Sequence, residues 1–191
     1  MCELGRAGAS SAEGNQSMTG REFMAAVANG EVDILQLLLD ILQATGSSYC
    51  VIGGLAVNAY VEPVVSLDLD IVVIARDVEK ICKIASEKGL KIERYEHSIN
   101  FSSSKSDLRI QLQTDTRFQD FISRASPQDV LGYVLDVASL EDVLKGKIWA
   151  YSDGSRRKSK RQKDLADIAR LVEAFPSLAS QLPPAIRSQV E

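Results

Sequence analysis

Residues 52–71 read Ile-Gly-Gly-Leu-Ala-Val-Asn-Ala-Tyr-Val-Glu-Pro-Val-Val-Ser-Leu-Asp-Leu-Asp-Ile. A short apolar run, Tyr49 to Ile52, meets Gly53 and Gly54 and is broken there. Leu55 to Tyr60 predicts one or two helical turns, ended by Pro63. Leu67 to Ala75 predicts a second strand, and Ile71 to Ile74 is apolar on both faces, as a strand in a sheet interior must be. Asp68 and Asp70 therefore sit two residues apart in a buried strand. Their side chains share a face, roughly 7 Å apart along it. Buried carboxylates need charge partners. A hard divalent cation such as Mg²⁺, which takes oxygen ligands, is one such partner, and Lys or Arg is the structural alternative. A Gly-Gly turn opening a helix can hold phosphates on its backbone amides. Together these features point to a nucleotide–metal site.

Outward from this stretch the pattern alternates. Val32 to Gln43 has apolar residues at helical spacing, with Gly46 as a stop. Val78 to Lys88 is a second amphipathic helix, ended at Gly89. Leu90 to Tyr95 reads as a strand. Asp107 to Asp115 alternates strictly: Leu108, Ile110 and Leu112 face one way, and Arg109, Gln111 and Gln113 the other, a polar face suited to lining a site. Val130 to Val137 is a weaker strand. From Ser139 the chain becomes helical. Ser139 to Asp142 resembles a capping box, and Leu140, Val143, Leu144, Ile148 and Tyr151 form an apolar stripe with Lys145 and Lys147 off it. Arg156 to Lys163 holds six basic residues in eight, read as a solvated loop or as an electrostatic patch for triphosphate or an RNA backbone. Asp164 to Phe175 predicts another helix, with Asp164 and Asp167 in its first turn, favourable to the helix dipole. Pro176 and Pro183-Pro184 close the ordered part.

This order predicts an α/β (α+β) fold, a mixed sheet with helices packed on it and a helical C-terminal cap. The expected divisions are a flexible tail over 1–18, an α/β core over 19–138, a helical extension over 139–180 packed on the core, and a tail over 181–191. A length of 191 residues suits one domain with a real core. The net charge of −4 gives no global reason to expect a nucleic-acid binder. Three scattered cysteines, Cys2, Cys50 and Cys82, have no zinc-site spacing and read as reduced thiols of a cytoplasmic protein. A single histidine, His97, excludes His-rich metal sites and disfavours a Ser-His-Asp triad. No apolar run is long enough for a membrane span, and the N-terminus lacks the apolar segment of a signal peptide.

Gly53-Gly54, thirteen intervening residues and Asp68-Leu-Asp70 in an apolar strand resemble the nucleotidyltransferase superfamily of the DNA polymerase beta type. Lys147 before Ile-Trp-Ala, followed by Lys163-Asp164-Leu-Ala-Asp167, is similar to the AbiEii-like minimal nucleotidyltransferases of toxin–antitoxin systems. The resemblance runs over roughly residues 30–175. It implies transfer of a nucleoside monophosphate from a nucleoside triphosphate to an acceptor hydroxyl on RNA, protein or a small molecule. It implies that Asp68 and Asp70 hold one or two Mg²⁺ ions, that Gly53 and Gly54 let the triphosphate approach the backbone, and that Ser66 and Lys163 contact phosphate. Lys147 would neutralise triphosphate or pyrophosphate. An antitoxin-type protein is a further implied partner, and no membrane is.

The superfamily carries a third carboxylate on a later strand, where this chain has Gln111. A carboxamide exchanges hydrogen bonds but cannot act as a base. Asp107 and Asp115 each lie four residues away, about 13 Å along a strand. Two readings follow: an active Mg²⁺-dependent nucleotidyltransferase, or a catalytically impaired domain of that fold that binds nucleotide or a partner. Bland readings stand beside the individual motifs. Gly53-Gly54 is a tight turn in its own right, Lys147 a surface lysine, and Asp164 and Asp167 are salt-bridged structural residues.

Overall fold

The computed structural model describes residues 18–190; the tail expected over 1–18 lies outside them but for Met18. Seven strands form one mixed sheet: β1 (Tyr49–Ile52), β2 (Asp68–Val73), β3 (Lys91–Arg94), β4 (Ser98–Ser103), β5 (Ser106–Gln113), β6 (Ser126–Val130) and β7 (Tyr133–Val137). Their order is β3-β4-β5-β2-β1-β7-β6, so β2 is the central strand, as its doubly apolar Ile71 to Val73 requires. β2 runs antiparallel to β1 and parallel to β5, and β1 runs parallel to β7. Among the described residues, seven α-helices accompany the sheet: α1 (Gly20–Val27), α2 (Ile34–Thr45), α3 (Gly53–Val57), α4 (Val78–Glu87), α5 (Leu140–Ser152), α6 (Lys158–Ala174) and α7 (Pro184–Val190).

Strict alternation separates the two faces of the central strands. Leu69 and Ile71 of β2 and Leu108, Ile110 and Leu112 of β5 are buried in the core, with Ile34, Leu38, Ile41 and Leu42 of α2 and Ile81 of α4. Asp68 and Asp70, with Arg109, Gln111 and Gln113, occupy the opposite face and line a cleft. Burial of the apolar face stabilises the sheet by roughly 25 cal/mol per Å² removed from water, and it also dictates register. Shifting β2 by one residue would drive both aspartates into the core.

Several elements depart from the sequence expectation. α1 begins at a capping box between Thr19 and Glu22. β4 offers only Ile99 and Phe101 as buried apolar residues in a serine-rich segment. β6 contains Pro127 and survives because it is the sheet edge. The basic run is not a loop: from Lys158 onward it forms the first turns of α6. The chain also stays ordered beyond Pro183, where α7 buries Ile186; Leu182, just before that proline, is buried too. Cys50 and Cys82 are free and buried. No helix among the described residues is long and apolar enough to cross a membrane.

Candidate active site

β1 ends where Gly53 takes φ +71° and starts α3. The two glycines are thus the first residues of the helix rather than a turn ahead of it. A Cβ built on Gly53 would stand 2.2 Å from Asp70 Oδ2. Both the left-handed backbone and this approach require glycine. Gly53 is in effect the wall against which the Asp70 carboxylate rests. A Cβ on Gly54 would stand 3.6 Å from Ser66 Oγ and 3.8 Å from Lys163 Nζ. Gly54, Ser66 and Lys163, far apart in sequence, converge at one corner. Ser66 is buried, and its Oγ donates to the Asp68 carbonyl at 3.2 Å.

The loop into β2 is pinned from two sides. Asn58 donates to the Val64 carbonyl at 2.8 Å and accepts from the Val64 amide at 3.0 Å. Arg170 of α6 donates to the Glu62 carbonyl. Asp68 and Asp70 follow on β2, paired in register with Arg109 and Gln111 of β5. The two carboxylates meet different surroundings. Arg109 reaches Asp68 Oδ1 at 3.1 Å, and Lys160 reaches Asp68 Oδ2 at 3.2 Å. Asp70 is half-buried and has no ion-pair or hydrogen-bond partner for its carboxylate among the described residues. Burial pushes its pKa up from 3.8 to about 6. Nearby Asp68 adds to the rise, and the charges of Lys147, Arg156 and Lys160 oppose it.

Gln111, the residue expected in place of a third carboxylate, lies in register opposite Asp70 on one side and Asn100 of β4 on the other. The Asn100 Oδ1 is buried without a hydrogen-bond partner. Asp107 is exposed, and Asp115 is paired with Arg117 at 2.6 Å, so neither replaces Gln111. Among the described residues no group of three or more His, Cys, Asp or Glu side chains gathers as a metal cluster. The oxygen donors gathered here are the two carboxylates and the carboxamides of Gln111 and Asn100. They are hard oxygen ligands, and the unpartnered Asp70 carboxylate leaves a cation uncompensated competition only at Asp68; the set fits Mg²⁺ as a partly hydrated ion.

Lys147 overturns its expected place off the buried stripe. It is 6% exposed, and its ammonium lies 3.1 Å from Asp164 Oδ1 and 2.6 Å from Asp167 Oδ2. Those aspartates are not in the first turn of their helix, since α6 starts six residues before Asp164. They are buried, at 2% and 4% exposure. Asp164 also accepts from Arg156 Nε at 2.8 Å, and Asp167 from Arg170 at 2.8 Å. Lys147, Arg156, Arg157 and Lys160 still line the cleft, whose volume beside Asp68 and Asp70 is about 280 Å³. Sequence reasoning missed Lys160 and Arg109 as partners of Asp68. The polar face of β5 signalled Arg109, but only tertiary structure brings Lys160 there.

No protein-family model matches the sequence, and no curated protein matches it. Solved structures do. The chain is similar to the antibiotic-resistance factor ANT(2'')-Ia in complex with adenylyl-2''-tobramycin, with a TM-score of 0.56 at 16% identity, covering 82% of this chain and 94% of that one. It is similar to the lincosamide antibiotic adenylyltransferase LnuA with lincomycin bound, with a TM-score of 0.51 at 15% identity over 72% and 95% of the two chains. An antigenic nucleotidyltransferase-like protein from Paracoccidioides brasiliensis gives a TM-score of 0.52 at 15% identity over 91% and 94%.

Two predictions follow from the buried charges. Lys147→Met leaves Asp164 and Asp167 buried without their shared cation, and urea denaturation should show a loss of about 3–5 kcal/mol. An unchanged midpoint would mean the cluster is solvated. The second concerns Asp70. Because its folded pKa lies above its unfolded value, the folded state holds the extra proton between about pH 4 and 6. The stabilisation is fully present below 3.8 and is lost as pH rises through about 6. Stability measured across that window should fall by about 3 kcal/mol more in the wild type than in Asp70→Asn.

At the level of architecture, this chain has the nucleotidyltransferase fold.

Proposed function

We infer that the protein is a nucleotidyltransferase that moves a nucleoside monophosphate from a nucleoside triphosphate to an acceptor hydroxyl. One observation carries the reading: Asp68 and Asp70 face a cleft from the central strand, with Gly53 closed against Asp70 and Lys147, Arg156, Arg157 and Lys160 on its walls. Gly54, Ser66 and Lys163 meet at an adjoining corner, outside the cleft lining. The same fold in adenylyltransferases supports it.

In this reading Asp68, Asp70 and the Gln111 oxygen hold Mg²⁺, which when bound supplies charge neutralisation on the phosphates. Gly54, Ser66 and Lys163 bind the triphosphate. Arg109 and Lys160, paired with Asp68 in this structure, would be the side chains free to contact phosphate oxygens once a cation shared that carboxylate. Arg156 and Lys147, steadied by Asp164 and Asp167, keep the cleft positive against the leaving pyrophosphate. The acceptor oxygen forms a bond to the α-phosphorus, the bond from that phosphorus to the bridging oxygen of pyrophosphate breaks, and the hydroxyl proton passes to water. Positioning and charge account for most catalysis in such transfers. The acceptor classes are RNA, a protein and a small molecule, and an AbiEii-like role with an antitoxin-type partner is the finer version of the proposal.

Gln111 favours a second reading, a domain of the same fold that binds Mg²⁺ and nucleotide without turnover. One assay separates them. The protein is incubated with each α-³²P nucleoside triphosphate, Mg²⁺ and cell extract, and label is followed into RNA, protein and small molecules. The enzyme reading expects a product that the Asp68→Asn, Asp70→Asn double variant forms at least about a hundredfold more slowly, a loss of roughly 3 kcal/mol in transition-state stabilisation. Nucleotide binding without a labelled product selects the second reading. Gln111→Glu then tests the missing base, which should restore transfer by about a hundredfold or more.

A further inference from the structure

The cleft does not end at the aspartates. Past Gln111 and Gln113 it opens into an outer lobe of about 690 Å³, and Gln111, Gln113, Phe118 and Arg156 belong to both lobes. A space of that size suits a small-molecule ligand. Along the sheet the floor changes character. On β2 it is carboxylate; on β5 and β4 it becomes Gln111, Gln113 and Ser98. Ser152 and Ser155 add hydroxyls at the rim, and Phe118 and Trp149 form an aromatic wall. Phe118 meets the Trp149 ring edge-on at 5.4 Å, and Phe121 stacks on Trp149 at 5.8 Å, so the wall is held from within.

Every charged side chain of this lobe is engaged, though Asp153 by neutral donors alone. Asp115 accepts from Arg117 Nε at 2.9 Å, from its terminal nitrogen at 2.6 Å and from its backbone amide at 2.9 Å. Asp153 accepts from the Ser155 amide at 2.9 Å and its hydroxyl at 2.7 Å. Arg156 is committed to Asp164. Exposed His97 has Glu96 beside it at 3.6 Å. A polyanion such as an RNA backbone needs uncommitted cations to pair with, and a polyamine needs uncommitted carboxylates. A polyanion would have to break pairs already made, and a polyamine would find Asp153 as the single carboxylate of the lobe without an ion pair. What the lobe offers is carboxamides, hydroxyls and aromatic surface.

We propose that the outer lobe is an acceptor subsite for a neutral, hydroxyl-rich small molecule of sugar or nucleoside type, its hydroxyl directed past Gln111 toward the Asp68–Asp70 pair. The acceptor role rests on the nucleotidyl-transfer reading; the ligand class rests on the lobe alone. Carboxamides serve such a ligand because each both donates to and accepts from hydroxyls. Gln111 then has work at the junction of the lobes that a carboxylate would do less evenly.

Trp149 is the single tryptophan of the chain and lines this lobe, so its emission reports occupancy. The full chain is titrated with myo-inositol, methyl α-glucopyranoside and uridine as neutral probes, and with spermine and hexauridylate as charged ones. The expected result is a saturable change in Trp149 emission with at least one neutral probe, its midpoint below those of spermine and hexauridylate. Ser98→Ala with Gln113→Ala should raise that midpoint about tenfold, the loss of roughly one net hydrogen bond. No saturable change with any neutral probe, or tighter binding of spermine or hexauridylate, overturns the proposal. Calorimetry with Mg²⁺ and ATP on the same protein keeps the two readings apart. Probe binding without nucleotide binding defeats nucleotidyl transfer and retains the lobe's ligand class. Nucleotide binding without a tryptophan response does the reverse.

Discussion

The Lys147 ammonium, closed between Asp164 and Asp167, is the interaction on which the rest of the site depends. An ion this deeply buried loses several kcal/mol of hydration, recovered only if its partners are close and themselves satisfied. Both conditions are met through neighbours. Asp164 turns its second oxygen to Arg156, and Asp167 turns its own to Arg170. Arg170 continues to the Glu62 carbonyl in the loop that leads into β2. One cluster therefore fixes α5 against α6 and ties α6 to the approach to Asp68. It contains three cations and two carboxylates, and Arg156 presents its share to the cleft.

The two aspartates of β2 illustrate how a single strand can prepare different environments two residues apart. Asp68 looks out toward Arg109 and Lys160, which stand in for positive charge. Asp70 is pressed against Gly53 with no cation of its own. In the proposed reading, a cation entering the cleft would relieve Asp70 of a cost and compete with side chains for Asp68. Binding of metal and of phosphates would then be coupled, since phosphates would offer Arg109 and Lys160 new partners.

Much of this was legible in the sequence because local signals and the global fold agree there. The doubly apolar stretch at Ile71 announced the central strand, and the alternation from Leu108 to Gln113 placed Gln111 on the polar face. The registers of β2 and β5 then set Gln111 beside Asp70. What escaped reading depended on partners distant in the chain. Ile99 and Phe101 are too few to announce a strand until β3 and β5 pair with it. A string of cations is a poor opening for a helix, yet Lys160 finds Asp68 and Arg161 finds the Tyr151 carbonyl. Lys147 lay off the apolar stripe of its helix, and only the packing of α6 turns that flank into interior.

The ends of the sheet carry a consequence for assembly. An open strand edge invites a neighbouring chain to add its own strand. One edge here is β6, where Pro127 removes a backbone donor; the other is β3, only four residues long and bearing Lys91, Glu93 and Arg94. Both borders are therefore poor templates for an added strand. Among the described residues, the surfaces better suited to contact with another chain are the helices and loops rather than the rim of the sheet.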